Sequence, residues 1–108
     1  MPAQPSQTTA LLPDDCTSMA EVRTGVDEVD QKLVALLALR FGYMDAAARI
    51  KMDRSEVRNE TRKAEVIANV RRAALDLRVP QDLAIELWER LVETSIAYEL
   101  ARWDDLRR

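Results

Sequence analysis

Residues 40–51, RFGYMDAAARIK, predict a helical segment with a cation at each end, Arg40 and Lys51. The two residues are eleven positions apart, about three helical turns, so their side chains lie within about 20° of each other around the helix axis. Several apolar residues upstream and between the cations share this face: Val22, Val26, Val29, Leu33, Leu36, Met44 and Ala47. The two cations therefore stand in the middle of an apolar stripe and not on the solvated side of the helix.

Composition narrows the class of protein. The chain has 108 residues, the size of one small domain, and 47% of them are apolar. Two glycines and four prolines allow few tight turns, which disfavours a sheet protein. The chain has no histidine, which excludes His-based metal sites and Ser-His-Asp catalysis. A net charge of -3 argues against nucleic acid as a partner, and the single cysteine excludes an intrachain disulfide.

The first 17 residues, MPAQPSQTTALLPDDCT, differ in composition from the rest. They are rich in Pro, Ser, Thr and Gln, so we predict a flexible N-terminal tail over residues 1–17 and a helical domain over residues 18–108. The tail has no basic residue and no long apolar run, and therefore predicts neither a signal peptide nor a membrane anchor. We expect a cytoplasmic protein without membrane contact.

Start and stop signals divide the domain into three helices, an all-α fold. The sequence SMAE at residues 18–21 has the capping-box pattern, and the helix that it opens is expected to continue to about residue 52. A second helix is predicted from about residue 55 to the residue before Pro80. A third is predicted from Pro80, a good first-turn residue, to about residue 107.

The first helix is too long for a chain of this size. About 35 helical residues span about 50 Å, whereas a compact domain of this length has a radius of gyration of about 13 Å. Two shorter helices cannot cover such a helix along its whole length. We therefore expect a homodimer with twofold symmetry.

Polar residues also interrupt the apolar stripe of the third helix. Ser95 and Glu99 share a face with Trp88, Val92 and Trp103. A single Lys or Arg on an apolar face usually extends its charged end into water, but buried unpaired charge costs several kcal/mol. A cluster of such groups on two helices predicts a site for an anionic small molecule with more than one carboxylate. The cluster comprises Arg40, Lys51, Ser95 and Glu99, with Arg58 and Arg62 close enough in sequence to join.

These residues resemble the functional positions of a known family. Over residues 15–107 the chain is similar to the all-helical, AroQ-type chorismate mutases. Six residues in three helices carry the resemblance in type and spacing: Arg23 in MAEVRTGVDEVD, Arg40 and Lys51 in ALLALRFGYMDAAARIK, Arg62 in VRNETRKAEV, and Ser95 and Glu99 in ETSIAYEL.

The resemblance implies an intertwined homodimer in which Arg23 of one chain completes the site of the other. Arg23 and Arg40 are seventeen residues apart, about 25 Å along one helix, so one straight helix cannot bring both to one small ligand. The implied reaction rearranges chorismate to prephenate, a step of aromatic amino acid biosynthesis, without a metal, a cofactor or a covalent intermediate.

The resemblance also implies a role for each residue. Arg40 and the partner's Arg23 would hold the side-chain carboxylate of chorismate, and Arg62 the ring carboxylate. Lys51 and Glu99 would flank the ether oxygen, so that Lys51, Glu99 and Arg40 are the expected catalytic residues. Asn59 and Ser95 complete the expected substrate-binding set.

Two features leave other activities open. Asn59 and Lys63 stand where many chorismate mutases carry acidic residues that contact the ring hydroxyl, and the opening DDCTSMAEVR is similar to isochorismate pyruvate lyases of the same fold. Those lyases usually carry Gln at the position of Glu99, which favours the mutase. An alternative of another class is a non-catalytic helical dimerisation module.

Overall fold

The computed structural model describes residues 10–108 of the chain. Its helices are α1 (Met19–Ile50), α2 (Glu60–Leu77) and α3 (Gln81–Leu106), with short 3-10 helices at Pro13–Asp15 and Arg54–Glu56. No strand occurs within the described range, and the predicted all-α fold with three helices, one of them long, is confirmed.

The chain divides into two compact units, Met1–Arg40 and Phe41–Arg108, with the boundary inside α1. Residues 1–9 of the predicted tail lie outside the described residues, and the 3-10 helix Pro13–Asp15 falls in the remainder. The domain boundary at residue 17 stays a prediction.

The predicted capping box starts α1. The Glu21 backbone N–H donates to Ser18 Oγ at 3.2 Å, and the Ser18 backbone N–H donates to Glu21 Oε1 at 3.1 Å. The Thr17 backbone N–H donates to the same carboxylate oxygen at 2.8 Å, and this bond is the main reason that the pKa of Glu21 lies below its ordinary value. Three otherwise unpaired groups at the start of the helix are satisfied in this way.

The apolar stripe of α1 within Ala10–Arg40 remains accessible to solvent in the single chain. Its five large side chains are each 38–60% exposed: Val22, Val26, Val29, Leu33 and Leu36. A row of exposed apolar side chains along several helical turns is unusual for a monomer and is typical of an interaction surface.

The start of α2 differs from the prediction, which placed it near Ser55. Asp53 accepts a hydrogen bond from the Ser55 backbone N–H at 3.0 Å, and Glu56 Oε2 accepts one from the Asp53 backbone N–H at 2.8 Å. This capping box closes one 3-10 turn only. Asn59 then has extended backbone angles and accepts from the Arg62 backbone N–H at 3.0 Å, so α2 begins at Glu60.

In the unit Phe41–Arg108, α2 and α3 form a helical hairpin. The connection turns at Arg78, whose φ of 60° lies in the left-handed region, and the Val79 backbone N–H donates back to the Ala74 carbonyl at 2.8 Å. The buried apolar residues of this unit are mostly small, which allows close approach of the helices: Ala48, Val57, Ala74, Ala84 and Val92.

Ion pairs join the start of α2 to α3. Arg58 donates to both carboxylate oxygens of Glu93, at 2.7 and 3.1 Å, and Lys63 Nζ lies 3.0 Å from both Glu93 Oε2 and Glu89 Oε2. Hydrogen bonds from Arg58, and next from Lys63, lower the pKa of Glu93 to about 2. The carboxylate therefore stays charged to far lower pH in the folded chain than in the unfolded one.

The hydrogen bonds of Glu93 with Arg58 and Lys63 predict a pH dependence of stability. Because the folded pKa of Glu93 is depressed from 4.5 to about 2, its contribution is present above pH 4.5 and is lost as the pH falls towards 2. We expect Glu93→Gln to have a lower urea midpoint than the wild type at pH 6, and the difference to shrink at pH 2.5. Glu65→Gln, which loses only an exposed pair with Arg62, is the matched control. An equal deficit of Glu93→Gln at both pH values would contradict the assigned cause.

Candidate active site

A buried carboxylate faces a lysine in the second unit. Glu99, on α3, is 4% exposed, and its Oε2 lies 2.8 Å from Lys51 Nζ. Lys51 follows the last residue of α1, and its side chain is 28% exposed. The structure thus brings together two of the predicted catalytic residues, one directly after α1 and one on α3.

Lys51 and Glu99 form an ion pair at hydrogen-bond distance. Glu99 Oε2 is buried and has no well-aligned hydrogen-bond donor in the range 10–108, but the ammonium 2.8 Å away compensates its charge. A buried ion pair is weak evidence for stability, because removing charges from water offsets much of their attraction. The pair therefore suits a binding or catalytic role better than a purely structural one.

Ser95 lies one helical turn before Glu99 and is equally buried, at 3% exposure. Its hydroxyl donates to the Leu91 carbonyl at 2.7 Å. The predicted face of α3 is confirmed, since Val92, Ser95 and Glu99 are all buried on it. Ser95 therefore presents a small polar side chain beside the carboxylate while its proton is used within the helix.

The backbone that carries Lys51 is held by the end of α3. The Lys51 carbonyl accepts hydrogen bonds from Trp103 Nε1 at 3.0 Å and from an Arg107 guanidinium nitrogen at 2.8 Å. Sequence reasoning placed Trp103 only in an apolar stripe and did not use Arg107. The available signal was the four-residue spacing of Glu99, Trp103 and Arg107, which puts all three on one face of α3.

A second set of contacts fastens the last turns of α1 to α3. Asp45 Oδ1 accepts from Tyr98 Oη at 2.7 Å and from Arg102 Nε at 3.1 Å. The Phe41 and Tyr98 rings meet edge to face with centroids 5.0 Å apart. The hydrogen bond from Tyr98 to Asp45 raises the pKa of the tyrosine. These contacts fix the register of α3 against the part of α1 that leads to Lys51.

The two predicted residues of α2 have other contacts in the single chain. Arg62 is exposed and pairs with Glu65 at 3.2 Å, one turn along α2. The Asn59 side-chain oxygen caps α2. Lys63, at a position that many mutases fill with an acid, is engaged by Glu89 and Glu93. The binding roles of Arg62 and Asn59 stay predictions.

The two remaining predicted residues belong to the unit Met1–Arg40. Arg23 is exposed on the first turns of α1, and Arg40 is half-buried. Neither the first nor the second unit, across residues 10–108, contains three or more Cys, Asp or Glu side chains grouped as a metal site. No helix in the same range is long and apolar enough to cross a membrane.

Comparison with known proteins identifies the family of the chain. The family model described as chorismate mutase type II matches residues 22–100, a range that includes α2 and most of α1 and α3. The chain belongs to this family. It is an all-helical enzyme of the AroQ class, and the family implies a chorismate-type substrate.

A curated relative is the isochorismate pyruvate lyase of Pseudomonas aeruginosa. It is 26% identical to this chain over 95 residues, which cover 88% of this chain and 94% of the relative. The chain thus matches a family model described as a mutase and is also similar to a relative named as a lyase. At this identity the choice between the two reactions depends on the site and not on the match.

Proposed function

We propose that the protein is a chorismate mutase, which rearranges chorismate to prephenate. The observation that carries the proposal is the ion pair of Lys51 with the buried Glu99, at 2.8 Å, formed by two of the residues that the family resemblance assigns to catalysis. The prephenate would feed aromatic amino acid biosynthesis, the branch of the shikimate pathway that the family resemblance suggests, in the cytoplasm.

The pocket has two tasks in this reaction. Chorismate must first be held with its side chain folded over the ring, which removes an entropic barrier. In the proposed site Arg40 and the partner's Arg23 hold the side-chain carboxylate, and Arg62 holds the ring carboxylate after leaving its exposed partner Glu65. Guanidinium groups suit this task because they bind carboxylates through two parallel hydrogen bonds.

The second task is to stabilise negative charge on the ether oxygen as its bond to carbon breaks. Lys51 donates a hydrogen bond to that oxygen, and a preorganised donor of this kind contributes most in a site from which water is excluded. Glu99 fixes the ammonium beside the reacting atoms and, when protonated, donates a second bond. Ser95 provides a small polar side chain one turn from Glu99, and Asn59, the cap of α2, completes the substrate-binding set.

Arg23 of a second chain is part of this proposal. The exposed stripe of α1, from Val22 to Leu36, is the surface that a second copy would cover. Fully burying a large apolar side chain contributes about 1.5–3 kcal/mol relative to leaving it exposed, and each of the five large side chains of this stripe, 38–60% exposed, would gain part of that. An intertwined homodimer with twofold symmetry would therefore stabilise the long helix and place Arg23 of each chain at the site of the other.

The dimer leads to a direct expectation in solution. Sedimentation equilibrium at micromolar concentration is expected to give about twice the chain mass of 12.3 kDa. Leu33→Glu, which puts a charge into the stripe, is expected to shift the mass towards the monomer and to abolish turnover. Leu77→Glu, at another exposed leucine on the last turn of α2, is the matched control for an added charge. A wild-type monomer with full activity would contradict both the dimer and the shared site.

Pyruvate elimination from isochorismate is the second candidate, because the relative from Pseudomonas aeruginosa is named for that reaction. The elimination is also pericyclic and uses the same cations. Glu99 favours the mutase, since the lyases usually carry Gln at that position.

Parallel incubations distinguish the two reactions. The purified protein is incubated with chorismate and, separately, with isochorismate, and the products are identified by chromatography and mass. We expect prephenate from chorismate at the higher kcat/KM. Faster release of pyruvate from isochorismate would assign the lyase activity, and the absence of any product in both incubations would leave the dimerisation module.

A further inference from the structure

The end of α3 supplies hydrogen bonds to the end of α1. The last carbonyls of a helix have no partner within the helix. Arg107 donates to the Ala48 carbonyl at 3.0 Å and to the Lys51 carbonyl at 2.8 Å, and Trp103 Nε1 donates to the same Lys51 carbonyl at 3.0 Å. Three donors from one helix therefore fix the last turn of the other.

The two donating side chains also hold each other. The Arg107 guanidinium lies over the Trp103 ring at 4.1 Å from its centroid, and it donates to the Trp103 carbonyl at 3.3 Å. Stacking of this kind favours one arrangement of the two side chains. The contact supports the orientation in which both donors reach the backbone carbonyls.

Two of these bonds end on Lys51, the residue whose ammonium faces Glu99. A lysine side chain is long and flexible, and that of Lys51 is 28% exposed, so packing alone does not fix its position. With the backbone held by Trp103 and Arg107 and the ammonium drawn to Glu99, the side chain is fixed at both ends. Because Glu99, Trp103 and Arg107 are spaced four residues apart, one face of α3 both holds the Lys51 backbone and attracts the Lys51 ammonium.

We propose that Trp103 and Arg107 are positioning residues that place the Lys51 ammonium for the reaction. The role in catalysis rests on the proposed function. A displacement of about 1 Å in such a donor can cost about 10²-fold in rate, so loosening the backbone at Lys51 lowers turnover without removing any group that touches substrate.

The test uses Trp103→Phe, which removes the donor and keeps an aromatic ring, and Arg107→Met, which keeps the stem and removes the guanidinium. Each is expected to lower kcat about 10-fold with less than a twofold change in KM, because the affected interaction strengthens in the transition state. In a Lys51→Ala background each is expected to lower kcat by less than twofold further, since the positioned group is gone. Equal losses in the two backgrounds would show a purely structural role and overturn the proposal.

Matched controls separate positioning from general cross-linking of the helices. Arg54 pairs with Asp104 on α3 at 2.9 and 3.2 Å, so Arg54→Met removes another arginine that joins α3 to a neighbouring segment. Trp88→Phe changes a half-buried tryptophan about 22 Å from Trp103 along α3. Neither control is expected to lower kcat by more than twofold. A 10-fold loss in both controls would overturn the specific role of Trp103 and Arg107.

A second readout does not depend on activity. Lysine occurs at positions 32, 51 and 63, so protein labelled with ¹⁵N-lysine has one labelled backbone amide directly after α1, that of Lys51. The Lys51 amide donates to the Ala47 carbonyl at 2.9 Å, and its hydrogen exchange reports on the order of the last turn of α1. Trp103→Phe and Arg107→Met are expected to speed exchange at Lys51 about 10-fold and to leave Lys63 unchanged.

Turnover and hydrogen exchange at Lys51 test different parts of the proposal. Unchanged exchange at Lys51 in both variants would overturn the claim that α3 holds this backbone, whatever the activity. A wild-type protein that converts neither chorismate nor isochorismate would remove the proposed function and with it the role in catalysis, while faster exchange would still assign the backbone contact.

Discussion

Lys51→Ala is expected to lower kcat for chorismate by about 10²-fold or more, the cost of removing a preorganised donor at a developing oxyanion. Lys51 Nζ lies 2.8 Å from the buried Glu99 carboxylate, in the position that the proposed mechanism gives to the donor. Initial rates of chorismate consumption at saturating substrate measure the effect.

The stability of this variant needs a matched control. Removing one partner of a fully buried ion pair costs about 3–5 kcal/mol because the other charge is left unpaired, and we expect less here because the Lys51 side chain is 28% exposed. In the double variant Lys51→Ala/Glu99→Gln no buried carboxylate is left without a cation. Its stability is therefore expected to recover, while its turnover stays low. Full activity in the single variant, with only stability lost, would mean that the pair is structural.

Mixing two inactive variants is expected to restore activity. Arg23→Ala and Arg40→Ala should each be nearly inactive, because each removes one carboxylate-binding arginine from every site. A heterodimer of the two has one site with both arginines intact and one with neither. Random re-association after joint refolding would therefore restore about one quarter of the sites.

The control is each variant refolded alone, with the mass of the mixed species determined to show that heterodimers form. Recovery assigns Arg23 to the partner's site. Heterodimers without recovered activity would mean that Arg23 acts within its own chain or has no role in the reaction.

The helices were predictable where local signals are strong. The capping box at Ser18 and Glu21 starts α1 as predicted, because its hydrogen bonds involve residues three positions apart. The start of α2 was placed several residues too early. The spacing of Asp53 and Glu56 matches a capping box, but the residues after such a box decide whether it opens a long helix or a single 3-10 turn. Here Asn59 supplies a second cap shortly afterwards, and the long helix starts from it.

Part of the predicted charged cluster was predictable from periodicity, namely that Lys51 and Glu99 lie near each other, whereas Arg58 and Arg62, which the same reasoning allowed to join, pair with other residues in the single chain. Lys51 and Glu99 each stand in an apolar stripe, and stripes on two helices face a common core. The contacts of Trp103 and Arg107 with the Lys51 carbonyl could not be predicted in the same way, because hydrogen bonds between a side chain and a distant backbone depend on the register of the packed helices. The sequence pattern shows which face a residue occupies and not which carbonyl it reaches.

In the proposed mechanism the ether oxygen of the substrate reacts between Lys51 and Glu99. The most direct measurement is a crystal structure with a stable bicyclic ether dicarboxylate that mimics the rearranging chorismate. We predict that the ether oxygen lies within hydrogen-bond distance, about 2.7–3.2 Å, of Lys51 Nζ and of the Glu99 carboxyl group, with Arg23 from the second chain on one carboxylate. A compound bound elsewhere, with Lys51 and Glu99 still paired only to each other, would contradict this mechanism.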